Sequence, residues 1–203
     1  MKKLDRAFYN RDSVIVAGEL LGKVLVHQTE GQRISARITE TEAYMGIEDK
    51  AAHSYGGRRT ARVEVMYGEA GFSYIFMIYG MYYCFNIVTN ERENPQAVLI
   101  RAVEPLEGIE QMAQRRFGKQ YEQLTNSRKI GLANGPGKLC GALAIDRRIN
   151  GMDLCGNEIY VEDAKCEDLR IVTSKRIGID YAEEAKDYPW RFYIEGSKYV
   201  SVK

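Results

Sequence analysis

The stretch YIFMIYGMYYCFNIV, residues 74 to 88, constrains the fold more than any other. Two apolar, aromatic-rich runs, Tyr74 to Ile78 and Tyr82 to Val88, flank only Tyr79, Gly80 and Met81. So short a connection joins antiparallel strands, and the segment reads as a hairpin. Turns between strands favour Gly, Asn, Asp or Pro, which tolerate the dihedrals and the water found there. Gly80 fits that rule. Tyr79 and Met81 are large, apolar-bodied residues at a place where water is expected.

The rest of the chain supplies partners for that hairpin. SVIVAGELLGKVLVHQ begins with a short helical pattern and passes into a strand at Lys23 to His27, and GQRISARITETEAY alternates as a strand does. AVLIRAVEP reads as a further strand, ended by Pro105. PLEGIEQMAQRRFG follows as a helix, with Pro105 at its first position, Ile109, Met112 and Ala113 in one apolar stripe and Gly118 at its stop. GPGKLCGALAI is a second short helix, and LRIVTSKRIGID and RFYIEGSKYVSV are late strands. No repeat, linker or low-complexity segment interrupts the order. Strands with irregularly interspersed helices predict an α+β fold: one mixed domain over residues 1–203, with a curved, largely antiparallel sheet, surrounding helices and a protruding hairpin.

Hydrophobic residues make up 45% and charged residues 28% of the chain, which excludes wholesale disorder. The two lysines at the N-terminus are followed by no apolar run, and no window is long enough to span a bilayer. The expectation is a soluble, cytoplasmic protein, nucleoid-associated if bacterial, with no membrane partner. Cysteines 84, 140, 155 and 166 form no close pair, and His27 and His53 are the only histidines, so neither a metal nor another cofactor is expected and the thiols read as free and buried. GLANGPGKL imitates a phosphate-binding loop but places Leu132 and Leu139 where that motif needs Gly and a hydroxyl. The net charge of +1 is not that of a strongly basic nucleic-acid binder. Locally, however, Lys50 to Arg62 holds four cations and no acid, and Arg58, Arg59 and Arg62 are candidate phosphate contacts.

Alternation along Arg33 to Tyr44 puts Arg33, Ser35, Arg37, Thr39 and Thr41 on one face. Ile34, Ala36, Ile38, Glu40, Glu42 and Tyr44 share the other, which starts apolar and then presents two carboxylates and an aromatic. A carboxylate on an inward face is costly unless paired or put to use, and such groups suit general-base work. If the strand instead ends near Ile38, both glutamates sit in a solvated loop. Arg101, a cation inside an apolar strand, needs an anionic partner, for which Glu40 is a candidate. His53 lies between the acidic strand end and the basic loop.

The segments RITETEAYMGIEDKAAHSYGGRRTAR, YIFMIYGMYYCFNIV, AVLIRAVEPLEGIEQM, GPGKLCGALAI and RFYIEGSKYVSV, in this order and spacing, closely resemble the alkyladenine (3-methyladenine, methylpurine) DNA glycosylases from about residue 5 to the C-terminus. The resemblance implies a monofunctional base-excision repair enzyme. Such an enzyme acts on double-stranded DNA, flips an alkylated or deaminated purine out of the helix and hydrolyses its N-glycosidic bond; a wedge that bends DNA works as a monomer, which is the expectation here. It implies Glu42 as general base, with the carbonyl of Ile177 as a second acceptor for the attacking water and Arg101 beside it. It further implies Tyr44, His53, Phe76 and Asn86 as the base pocket, with Asn86 excluding normal guanine, and Tyr79 as the group that fills the gap in the duplex, Met81 leaning on the neighbouring base pairs. Phe76 departs from the tyrosine of the best-known members; stacking needs only a π face and survives the change. Two other classes use part of the same surface: a non-catalytic DNA-distortion sensor, which has no need of an inward carboxylate, and an RNA-binding module, which prefers single strands.

Overall fold

A computed structural model of the protein describes residues 2–164 and 169–202. Eight strands are described: β1 Val24–Thr29, β2 Gln32–Tyr44, β3 Ser73–Ile78, β4 Tyr82–Thr89, β5 Gln96–Glu107, β6 Ile159–Glu162, β7 Ile171–Ser174 and β8 Arg191–Ile194. They form one sheet in the order β3-β4-β5-β2-β1-β6, with β8 joined to β2 and β7 to β8. Every pairing is antiparallel. The helices are α1 Arg6–Tyr9, α2 Ser13–Glu19, α3 Ile109–Phe117, α4 Asn126–Ile130 and α5 Pro136–Ala142. Mixed α+β architecture around a curled antiparallel sheet in one domain agrees with the sequence expectation.

The curl originates in β2. On one edge this strand pairs with β1 through Arg37, then changes partner to β8 from Glu40 onward. Its other edge stays on β5, and around Glu40 the register slips twice, between Ile38 and Glu40 and between Glu40 and Thr41. Two residues of β2 oppose one of β5 at the first slip, and the reverse holds at the second, where Arg101 is the extra residue. Bulges of this kind bend strands and re-aim side chains. The sheet therefore folds around Glu40, and Ile34, Ala36, Ile38, Phe85, Ile100 and Val103 lie fully buried in the main core.

Two expectations need correction. Pro105 does not open α3; β5 continues to Glu107, and the helix starts at Ile109 after Gly108. Pro105 lies opposite Ala36, beside a further register shift, where a residue lacking an N–H costs the ladder little. The Gly118 stop does agree: its φ of 63° is the left-handed cap, and its N–H reaches the Gln114 carbonyl. The second correction concerns β2, whose faces exchange at the bulge: Ile34, Ala36 and Ile38 share the main core with Ala43, and Thr41 pairs with Ile100 of that core, so Glu42 and Tyr44 lie on the opposite face from Ile34, Ala36 and Ile38. Thr39 and Thr41 are buried, their hydroxyls donating to the Tyr199 and Ala17 carbonyls at 2.7 and 2.8 Å. Among the described residues no helix is long and apolar enough to cross a membrane. Cys84 and Cys140 are buried and Cys155 half-buried, while Cys166 lies outside the described residues.

Candidate active site

Side chains alternate along a strand, so every second residue of adjacent strands lines one wall. Tyr74, Phe76 and Ile78 of β3, Cys84 and Asn86 of β4, and Ala97, Leu99 and Arg101 of β5 line a single cavity of about 340 Å³. That volume falls within the range of small-molecule sites. Tyr44 from β2, His53 from the segment after it, and Ile177 to Ile179 from the β7–β8 connection close the other sides. Glu42 pairs with Leu99 and Tyr44 with Ala97, so both belong to the cavity face of the sheet.

The strand does not end at Ile38. Glu40 and Glu42 lie within β2, and both have 0% exposure. The Ile177 N–H donates to Glu42 Oε1 at 2.7 Å, and the Tyr44 hydroxyl donates to Oε2 at 2.9 Å. Arg101 Nη1 stands 3.2 Å from the same Oε2. A carboxylate offers about four lone-pair sites. Two hydrogen bonds and one ion pair leave Oε1 with unused acceptor capacity, and all three partner residues line the cavity. Glu40 is the second anion on Arg101, accepting from its Nε at 3.0 Å and from Arg191 Nε at 2.7 Å.

A third buried acid supports the opposite wall. Asp49 pairs with Arg176 through two contacts of 2.5 and 2.8 Å, both side chains fully buried. Arg176 also donates to the Ala43 and Ala185 carbonyls, and its guanidinium lies 4.8 Å from the Tyr44 ring centre and 4.9 Å from that of Trp190. It thus fixes the backbone next to Ile177 and backs Tyr44 at once. The charges balance: Glu40, Glu42 and Asp49 against Arg101, Arg176 and Arg191. Burial and the Glu42 charge raise the Tyr44 pKa well above the ordinary phenol value, so its hydroxyl keeps its proton and donates.

His53 meets Phe76 edge-on, ring centres 4.5 Å apart, and its Nδ1 sits 2.8 Å from the Tyr74 hydroxyl. Burial first, then the positive charges of Arg62 and Arg58, pushes its pKa from 6.5 down to about 4. The imidazole is neutral at pH 7. Because the folded value lies below the unfolded one, this group's effect is absent above pH 6.5 and lowers stability as pH falls from 6.5 toward 4. NMR titration of the His53 ring is expected to give a midpoint near 4; a midpoint at the ordinary value of 6.5 would contradict this environment. Asn86 is buried, its Nδ2 donating to the Tyr74 carbonyl at 3.0 Å.

The hairpin tip is solvent-facing, with Tyr79 86% and Met81 67% exposed. Tyr79 and Gly80 have φ of 52° and 69°, and the Met81 N–H returns to the Ile78 carbonyl at 3.2 Å, the pattern of a type I′ turn. Glycine suits such a φ; tyrosine is strained by it. The basic run is less uniform than its sequence suggests. Arg59 is held by Glu64 and Glu93 at 2.7 and 2.6 Å, and Lys50 by Glu183 and Glu184 at 2.6 and 2.9 Å. A phosphate at Arg59 has to displace two carboxylates. Arg58 and Arg62 are exposed, and the Arg62 guanidinium lies 5.3 Å from the Phe76 ring centre. The expected pocket residues and Glu42, Arg101 and Ile177 therefore converge, whereas the three arginines divide.

Sequence reasoning missed Asp49, Arg176, Arg191 and Ser201. Arg191 carries a weaker form of the Arg101 signal, a cation at the start of a short apolar strand. Asp49 carries none, because its partner is 127 residues away.

Comparison with known proteins agrees with this architecture. The family model described as methylpurine-DNA glycosylase matches residues 7–198. A protein of Desulfitobacterium hafniense named "Putative 3-methyladenine DNA glycosylase" is 71% identical over 203 residues, all of both chains. One of the same name from Clostridium acetobutylicum is 58% identical over 200 residues, 98% of each chain. With a carboxylate buried behind an aromatic cavity and a match along nearly the whole chain, the protein belongs to the methylpurine-DNA glycosylase family, DNA-repair hydrolases that act on N-glycosyl bonds.

Proposed function

We propose that the protein is a monofunctional glycosylase that flips a damaged purine of the 3-methyladenine, 7-methylguanine, hypoxanthine or ethenoadenine class out of duplex DNA. Extrusion is the only route by which an enzyme reaches a base stacked in a helix, and damaged bases extrude most cheaply. The flipped purine stacks between Tyr44 and Phe76 against His53, and the Asn86 side chain bars the 2-amino group of normal guanine. Water held between Glu42 and the Ile177 carbonyl attacks C1′ of the sugar. The glycosidic bond breaks, its electron pair leaves with the purine, and the water's proton passes to Glu42. The carboxylate also offsets the positive charge that builds on the sugar. Arg101 holds Glu42 in place. Arg58 and Arg62 contact phosphates, and the protein acts on DNA as a monomer.

The observation that carries this reading is Glu42, an unexposed carboxylate whose two hydrogen-bond donors and ion-pair partner all line the cavity and whose Oε1 can accept one more hydrogen bond. The test is incubation with duplexes bearing single hypoxanthine or 3-methyladenine lesions. Free base is expected, with strand breaks only after alkali. Breaks without alkali, or no free base from any damaged purine, would contradict it.

Tyr79 fits the gap left by the expelled nucleotide, as apolar wedges do elsewhere, with Met81 against the neighbouring pairs. Tyr79→Asn is expected to weaken binding to a lesion duplex by roughly tenfold, since base–aromatic stacking is worth about 1–3 kcal/mol. Asparagine accepts positive φ more readily, so the melting temperature should hold or rise. A clear drop in melting temperature would instead make Tyr79 a structural residue.

A further inference from the structure

Residues Tyr199 to Val202 cross behind the cavity without touching it. The Ser201 N–H donates to Glu40 Oε2 at 2.6 Å, its hydroxyl donates to Glu40 Oε1 at 2.8 Å, and Arg101 Nη2 reaches the same hydroxyl oxygen at 3.3 Å. Arg191, also on Glu40, binds the Val202 carbonyl and, at 3.0 Å, the Ser174 hydroxyl. Thr39 donates to the Tyr199 carbonyl. The segment is therefore anchored on β2 and β8 at the bulge that carries Arg101.

Glu40 accepts four hydrogen bonds, three of them on Oε1. Its four donors are Arg101 Nε, Arg191 Nε, Ser201 N–H and the Ser201 hydroxyl. Arg101 is shared between this carboxylate and Glu42. A guanidinium is planar and rigid, so its pose on Glu40 dictates where Nη1 meets Glu42. Without the Ser201 hydroxyl, Glu40 Oε1 and Arg101 Nη2 each lose a partner, and the shared guanidinium shifts relative to Glu42.

We infer that Ser201 is a positioning residue for the proposed reaction: through Glu40 it fixes Arg101, and through Arg101 the orientation of the Glu42 carboxylate. This rests on the reading of Glu42 as the base. Ser201 touches neither cavity nor substrate, so its effect belongs to the chemical step and not to capture of DNA.

The test compares Ser201→Ala and Ser201→Thr with wild type in single-turnover release of hypoxanthine from a duplex, beside binding to that duplex and thermal melting. Ser201→Ala is expected to slow release by about tenfold, within the roughly hundredfold that a misplaced catalytic group can cost, with unchanged duplex binding. Ser201→Thr keeps the hydroxyl and is expected to restore the rate to within about twofold of wild type. Wild-type release by Ser201→Ala overturns the positioning role, as does a threonine variant no faster than alanine. Equal losses in binding and release overturn it too, by making the segment a general support. A wild type that releases no damaged purine overturns the glycosylase reading itself, a separate failure.

Discussion

Replacing Asp49 with alanine is expected to cost about 3–5 kcal/mol of stability, the range for leaving one member of a buried ion pair without its partner. Domains of this size are stable by only about 5–15 kcal/mol, so the midpoint in urea should fall steeply. The magnitude follows from what Asp49 holds. It binds Arg176 through two contacts and also accepts the Met45 and Ala51 N–H groups at 3.1 and 3.0 Å. Alanine strands a fully buried guanidinium and two backbone donors together. Asp49→Asn keeps acceptor capacity and should cost less. Because Arg176 adjoins Ile177 and backs Tyr44, what remains folded should release damaged base more slowly. A loss below about 1 kcal/mol, as for exposed pairs, would show that water reaches this pair.

Glu42→Gln is the larger effect on chemistry. Removing a positioned general acid or base costs about 10²–10⁴ in rate. Glutamine keeps the shape, so Ile177 can still donate to its carbonyl oxygen while the Tyr44 hydroxyl turns to accept from the amide. Arg101 retains Glu40. The variant should fold, and its binding to lesion duplex should stay within a few-fold of wild type, because the aromatic plates and the hairpin tip are untouched.

Much of this was legible in the chain. Period-2 alternation grouped Glu42 with Tyr44, although the bulge sets them on the face opposite Ile34, Ala36 and Ile38, and the short connection at Tyr79-Gly80-Met81 fixed a hairpin whose strands carry Phe76 and Asn86. These signals are local, requiring only neighbours in sequence. The paired slips that aim Arg101 were not legible, because a bulge depends on which strand lies opposite. The same is true of the Pro105 position, which fits a helix start locally and is overridden by pairing with β2. Arg59 looked free because its acids, Glu64 and Glu93, lie outside the basic run. The roles of individual pocket residues came from resemblance, and geometry adds how their side chains are held.

The central claim is that an unexposed Glu42 activates water against a flipped, damaged purine. The most direct measurement is single-turnover release of free base from one lesion duplex by wild type and Glu42→Gln, with binding measured on the same DNA. The expected result is release by wild type, and tight binding with release reduced by about 10²-fold or more in the variant. Release by Glu42→Gln at the wild-type rate would contradict the account.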